Sequence, residues 1–438
     1  MADRRVAITG LGVVTPLGMG IEDVWAALRD GRRGVSEISL LDPGHFPCKI
    51  GGQLLDFSAR NFVPKNYRKA VKVMARDIEI AVAVADLAFL DSGLITRGLE
   101  GKGEPTVDSK RLGCNVGAGL ICTELNELGT AVNTSVTDGK FDFKTWGKSG
   151  MSNLTPLWLL KYLPNMLSCH VTIIHGAEGP SNCITCGDAS GHLAVGESAL
   201  YIRRDAADVV IAGAAESKLN HMGLLRQGKL RRLCTTRNDQ PAGAVRPFDA
   251  DHAGTAIGEG GGLLILEDMD CAKNRGARVY AELVGFGAAC DPLAIDVLRP
   301  TAGHLGLAVR NALASAGIGP EDVDAIVAYG TGVPGEDLAE AAAWREALGE
   351  KARSIPAVSF TGATGTMFAG ASGVQLAVAA KCLAEQIVPP TVNFDKPAEG
   401  CEMNFAAETR KVKIRHIVTG SYTVGGQSGA CVLKLCEK

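Results

Sequence analysis

Short, uninterrupted apolar runs alternate along the chain with longer stretches whose apolar positions recur at helical spacing. The runs Arg5–Val14, Leu112–Val116, Val209–Gly213, Leu263–Glu267, Ala325–Ala328, Ile414–Ser421 and Ala430–Leu435 read as strands. Ile78–Leu90, Ala189–Arg204, Leu305–Ala316, Leu338–Leu348 and Gly373–Ala384 read as helices. Strands that are apolar throughout, separated by helices, predict an α/β protein with a parallel-type sheet covered on both faces. A faint repeat accompanies this pattern. Ala189–Arg204 leads into Asp208-Val-Val-Ile-Ala-Gly, and Leu305–Ala316 leads into Asp324-Ala-Ile-Val-Ala-Tyr-Gly. Glycine-rich text beginning at Gly258 and at Val424 then feeds a strand in each part. Two similar α/β halves, 1–268 and 269–438, are expected. Leu99–Lys110 is rich in turn formers and reads as a surface loop. Asn133–Asn153 has no clear period and reads as a lid or a flap against a partner chain.

Composition removes several classes of function. The 438 residues carry a formal net charge of −3, so no basic footprint points to nucleic acid. No stretch reaches the ~18 apolar residues of a membrane span, and the opening MADRRVAITG has no signal-peptide core. A cytoplasmic location is expected. The 13 cysteines are scattered through a chain too long to need staples, and read as free thiols. Gly10-Leu-Gly12 follows a strand, but Thr15 stands where a dinucleotide fingerprint needs its third glycine, and no GxxxxGK[ST] occurs. No cofactor and no metal site is implied. Cys183 and Cys186 form a C-I-T-C run with no second pair at zinc spacing.

The informative segment is Gly179-Pro-Ser-Asn-Cys-Ile-Thr-Cys-Gly-Asp-Ala-Ser-Gly-His-Leu-Ala-Val-Gly196: a buried run, a tight turn, and a helix opening at Ala189. A nucleophile at such a turn gains from the helix dipole and from free backbone N–H groups. The segment resembles the nucleophile elbow of β-ketoacyl-acyl-carrier-protein synthases. Similar motifs follow in the family's order: Val6 through Gly18, Pro156 through Met166, Leu233-Cys-Thr-Thr-Arg-Asn-Asp239, Arg246-Pro-Phe-Asp249 and Gly258-Glu-Gly260. The resemblance implies the thiolase fold, a five-layered αβαβα sandwich, and a two-fold dimer.

Four positions depart from the family's pattern. Asp188 falls where the family carries its cysteine, and Tyr329 and Met367 fall where it carries two histidines. Gly362 replaces a lysine, while Thr331, Asp337 and Glu340 are retained. Val424, before Gly425 and Gly426, stands at an aromatic gate position, where a smaller residue widens the acyl route or simply repacks. Condensation needs a thiolate to take the acyl chain and donors to hold the enolate left by decarboxylation. Asp188 forms only a fragile anhydride, Met367 donates nothing and Tyr329 offers one donor. Loss of condensation in this chain's own pocket is therefore expected.

Each position also has a plainer reading. Asp188 reads first as an N-cap, worth about 1 kcal/mol, and otherwise as a carboxylate base. Cys186 is a nucleophile only if the turn has been rebuilt, and Tyr329 reads as a pocket filler. His192 reads as a core or interface histidine, and His170 and His175 as flanking a strand. The resemblance points to a subunit like a chain-length factor, paired with an active ketosynthase and shaping the tunnel for an acyl chain on the phosphopantetheine arm of acyl-carrier protein. Chain-length factors carry glutamine where Asp188 stands. The alternatives are a homodimeric enzyme with reassigned acyl-thioester chemistry on Asp188, Tyr329 or Cys186, and a non-catalytic scaffold that binds acyl chains or carrier protein.

Overall fold

The computed structural model describes residues 4–99, 101–292 and 303–436; Glu100 of the polar loop lies outside them. Ten strands carry the architecture. The first five are β1 (Val6–Thr15), β2 (Leu112–Ala118), β3 (Ser181–Thr185), β4 (Val209–Ser217) and β5 (Ile257–Asp268). The second five are β6 (Ala281–Cys290), β7 (Ala325–Val327), β8 (Ala357–Val358), β9 (His416–Tyr422) and β10 (Gln427–Lys434). They run in the order β8-β7-β9-β10-β6-β1-β5-β4-β2-β3. Counted from either outer edge, the chain order within each half-sheet is third, second, fourth, fifth, first. The two halves meet through a two-residue antiparallel pairing, Ala7 with Glu282 and Ile8 with Ala281.

The expectation of a parallel sheet holds only in part. β2, β3 and β4 run parallel, as do β7, β8 and β9. β5 and β1, like β10 and β6, join antiparallel. The reason is burial: β1, β4 and β5 are buried along their whole length, and a strand covered on both faces is an unbroken apolar run in either direction. The repeat also has a different register from the sequence reading. The helix before β4 corresponds to the helix before β9, not to the one before β7.

Helices supply three layers. α1 (Arg76–Ser92) and α2 (Met166–His175) cover the outer face of the first half-sheet. α4 (Gly303–Ala316) covers the outer face of the second, with α5 (Pro334–Leu348) packed on it. Between the half-sheets lie α3 (Ser190–Arg203) and α6 (Ala369–Glu385), which touch strands on both sides and each other. The result is the expected αβαβα stack. His170 and His175 both sit on α2 rather than beside a strand; a ten-residue apolar helix carries too little period to be told from a strand by sequence.

The middle layer depends on residues without side chains. A Cβ on Gly373 of α6 would stand 2.1 Å from the Gly262 carbonyl oxygen of β5. The glycines near the N-terminus have a comparable role: a Cβ at Gly12 would stand 1.9 Å from the Val84 carbonyl oxygen of α1. Gly373→Ala is expected to cost about 3 kcal/mol, because rigid backbone must move to admit the methyl. Gly129→Ala, in helix Leu125–Asn133 with open space around it, is expected to stabilise by up to about 1 kcal/mol. Urea unfolding of the two variants checks both signs.

Candidate active site

The elbow forms where β3 ends. A single tight turn, Gly187–Ala189, links it to α3. Gly187 has φ +53°, and a Cβ there would also meet Thr423 Oγ1 at 2.7 Å, so glycine is required. Asp188 is not the helix cap that the sequence suggested. No side chain caps α3, and the Ser190 hydroxyl instead accepts from the Cys186 backbone N–H at 2.8 Å. The Asp188 carboxylate turns into the protein, where Oδ2 accepts from the Tyr329 hydroxyl at 3.0 Å and pairs with Arg232 Nη2 at 3.5 Å. A cap needs a free N–H within reach, and the buried guanidinium is the stronger partner.

Arg232 is the residue that the sequence reading missed. It is buried and makes a two-toothed pair with Glu336, at 2.7 and 2.9 Å, and a hydrogen bond to Gln227 at 3.2 Å. Burial works against its charge, but Glu336 and Asp188 outweigh that and raise its pKa further. Its position directly before the Leu233-Cys-Thr-Thr-Arg motif was the available signal. Lys218, also buried, pairs with Glu216, and its ammonium lies 4.4 Å from the centre of the Phe368 ring. Burial lowers the Lys218 pKa, against the pull of Asp188. Glu216 in turn accepts from the Ala369 N–H at 2.8 Å, placing a carboxylate on the first turn of α6. Phe368 holds φ +50°, unusual for an aromatic residue, with Lys218 and Arg232 against its ring.

The loop after β7 is fixed from beneath. Glu340 accepts from the backbone N–H of Tyr329 and Gly330, each at 2.8 Å, and from the Trp344 indole at 3.1 Å. Asp337 accepts from Thr331 and Gly332, and the Thr331 hydroxyl accepts from Val333 N–H. Ser359 and Thr361 donate to the Tyr329 carbonyl. Together these bonds hold Tyr329 in place. Burial, followed by the Asp188 charge, keeps its phenol protonated far above the usual range.

The remaining predicted residues fall around this cluster. Met367 is fully buried, and its sulfur packs against Gly260. Gly362 is buried with its backbone against the Val392 carbonyl. Val424 is 39% exposed in the β9–β10 turn with Gly425 and Gly426. The Cys186 thiol is half-buried and its pKa is raised, first by desolvation and then by Cys290, the reverse of an activated nucleophile. His192 is a satisfied core histidine: Nδ1 bonds the Ser421 hydroxyl at 2.8 Å and Nε2 the Thr419 hydroxyl at 3.2 Å, and burial lowers its pKa to about 3. Asp188, Tyr329 and Met367 are 5%, 1% and 0% exposed. All thirteen cysteines are free.

Two matches cover most of the chain. The β-ketoacyl synthase N-terminal domain matches residues 3–272, and the β-ketoacyl synthase C-terminal domain matches residues 280–395. The chain belongs to the β-ketoacyl synthase family. It is 31% identical to 3-oxoacyl-[acyl-carrier-protein] synthase 2 of Synechocystis, over 98% of both chains. It is 31% identical to the actinorhodin polyketide putative β-ketoacyl synthase 1 of Streptomyces coelicolor, over 99% of this chain and 89% of that one. Two solved structures share the thiolase-like fold at 24% identity. The ishigamide ketosynthase/chain length factor has a TM-score of 0.83 over 100% of both chains. A β-ketoacyl synthase from Burkholderia phymatum has a TM-score of 0.85 over 99% of this chain and 100% of that one. No helix among the described residues is long and apolar enough to cross a membrane.

Two measurements test the site of this ketosynthase-family chain. Arg232→Ala strands the Glu336 and Asp188 carboxylates in the interior, and is expected to cost about 3–5 kcal/mol by urea unfolding. Glu340 tests the pH dependence. Burial raises its folded pKa from 4.5 to about 7. Folding therefore favours the protonated acid, so its contribution is complete below pH 4.5 and is lost as pH rises through about 7. Glu340→Gln is expected to flatten that decline in a pH series of unfolding curves.

Proposed function

We propose that this chain is a catalytically degenerate ketosynthase-like subunit. It pairs with an active ketosynthase and shapes the tunnel in which an acyl chain grows on acyl-carrier protein, in fatty-acid or polyketide synthesis. One observation carries the reading. The residue at the family's nucleophile position is a buried carboxylate spent on Arg232 and Tyr329. That cluster holds no thiolate to accept an acyl group. Arg232 stays charged and cannot act as a base, and the buried thioether of Met367 donates nothing to an enolate. Asp188, Tyr329 and Met367 are thus positions of lost catalysis, with Cys186 protonated beside them.

Pairing has its own support. The outer edge of β3 is free among the described residues, and Ser181, Asn182 and Thr185 on it are exposed. A free edge is a template for another strand. On α2, packed against β3, Ile173 is exposed, as are Leu157 and Leu159 just upstream. Phe143 of the 133–153 stretch is 82% exposed, in keeping with a flap against a partner chain. Two similar halves, 1–268 and 269–438, would then face their counterparts across a two-fold axis, in the cytoplasm. Relatives support the setting: one matched structure is a ketosynthase/chain length factor, and another is a type II polyketide ketosynthase in complex with its acyl-carrier protein.

The test is incubation of the purified chain, alone, with malonyl- and acyl-loaded carrier protein, followed by intact-mass spectrometry. No acyl adduct and no decarboxylation are expected, and a ketosynthase with an intact Cys–His–His set should co-purify with the chain in equal amounts. An adduct on Cys186, or turnover abolished by Asp188→Asn, would overturn the reading in favour of an enzyme with its own chemistry.

A further inference from the structure

A cavity of about 720 Å³ opens at the end of the sheet opposite Asp188. Asp188 and Tyr329 follow the C-terminal ends of β3 and β7. The cavity lies where β1, β6 and β9 begin and where β5 and β10 end, because Arg5, Arg415 and Lys434 all line it. It is therefore separate from the site described above. Its volume falls within the roughly 300–1,000 Å³ range of small-molecule pockets.

Among the described residues the lining is charged with one sign only. Arg5, Lys273, Arg278, Arg415 and Lys434 contribute five cations and none of the described lining residues contributes a carboxylate, while Met269, Val279 and Leu435 supply apolar walls. Two cations are held by acids that do not line the cavity: Arg5 pairs with Glu282 at 2.5 Å, and Arg278 pairs with Asp91 at 2.5 Å. Lys273 and Lys434 form no ion pair among the described residues. Burial and Glu282 raise the pKa of the Cys436 thiol in the wall, and Arg5, Lys273 and Lys434 all pull against them, so the three cations converge on one place with the carboxylate that pairs Arg5 beside them. Like charges gathered beside apolar walls repel one another, and a multiply charged anion relieves that repulsion.

We propose that this cavity binds a nucleotide with two or more phosphates. The cations take the phosphates, and the apolar wall of Met269, Val279 and Leu435 takes the flat base. A concave cavity of this size suits a small ligand, whereas an acidic protein helix would need a long open groove. The site is independent of the proposed pairing with a ketosynthase.

The experiment is isothermal titration of the full chain with ADP, pyrophosphate and AMP at low and moderate salt. ADP is expected to bind once per chain, at least about tenfold more tightly than either pyrophosphate or AMP, and more weakly as salt rises. Lys273→Ala and Lys434→Ala are each expected to weaken ADP about tenfold with unchanged melting temperature, Lys273→Arg to retain binding, and Asp188→Asn to leave it unaltered. Three results would overturn the proposal: no saturable ADP binding at millimolar concentration, pyrophosphate binding as tightly as ADP, or binding indifferent to both lysine substitutions. If an acidic carrier protein, but not ADP, bound in a lysine-dependent way, the surface would be a protein dock instead.

Discussion

Backbone lies on backbone where α6 crosses β5: the Gly373 Cα and the Gly262 carbonyl approach so closely that not even a methyl fits between them. That contact sets the spacing of the middle layer. With α3 and α6 pressed between two half-sheets, the turns at their N-termini fall at the C-terminal ends of parallel strands, a common place for ligands in α/β sheets. The elbow before α3 presents Asp188, and the turn before α6 presents Met367 and Phe368. Glu216, at the end of β4, ties the start of α6 to the same place through the Ala369 N–H. The glycine-rich composition and the site geometry are thus two expressions of one packing constraint.

What fills the pocket follows from electrostatics. A buried guanidinium is tolerated only with carboxylates at contact distance. Arg232 has two, one on the first turn of α5 and one at the elbow. Aspartate in place of a nucleophile is therefore understandable as a counter-charge. It binds the elbow to the Tyr329 loop and leaves its oxygen committed to two donors. The result is an interior ion cluster, with Glu340 and Asp337 holding the backbone of the Tyr329 loop beneath it.

The placement of chemistry at two ends of one sheet deserves a physical reading of its own. Parallel strands leave one end for the elbow and loops, and the antiparallel strands at the seam return their termini to the other. The seam between half-sheets is where Arg5, Lys273, Arg415 and Lys434 gather, because β1, β5, β9 and β10 all start or stop there. No local stretch of sequence contains that cluster.

Read alone, the chain disclosed seven of the ten strands and five of the six helices, but not β6 or β8, and it took the largely exposed β3 for a buried run and α2 for a strand. Apolar runs and helical periods register burial, and in a five-layered molecule the inner strands and the middle helices are almost completely buried. It also disclosed the elbow and the positions of Asp188, Tyr329 and Met367, since these lie at fixed spacing from glycine and proline motifs. Strand direction was out of reach, because a doubly covered strand looks the same run either way. The fate of Asp188 was out of reach too: an N-cap is judged from its neighbours in sequence, whereas its real partners are 44 and 141 positions away. Arg232 and Glu336 stand 104 positions apart, and only the tertiary fold could decide that a charge beside a familiar motif would turn inward.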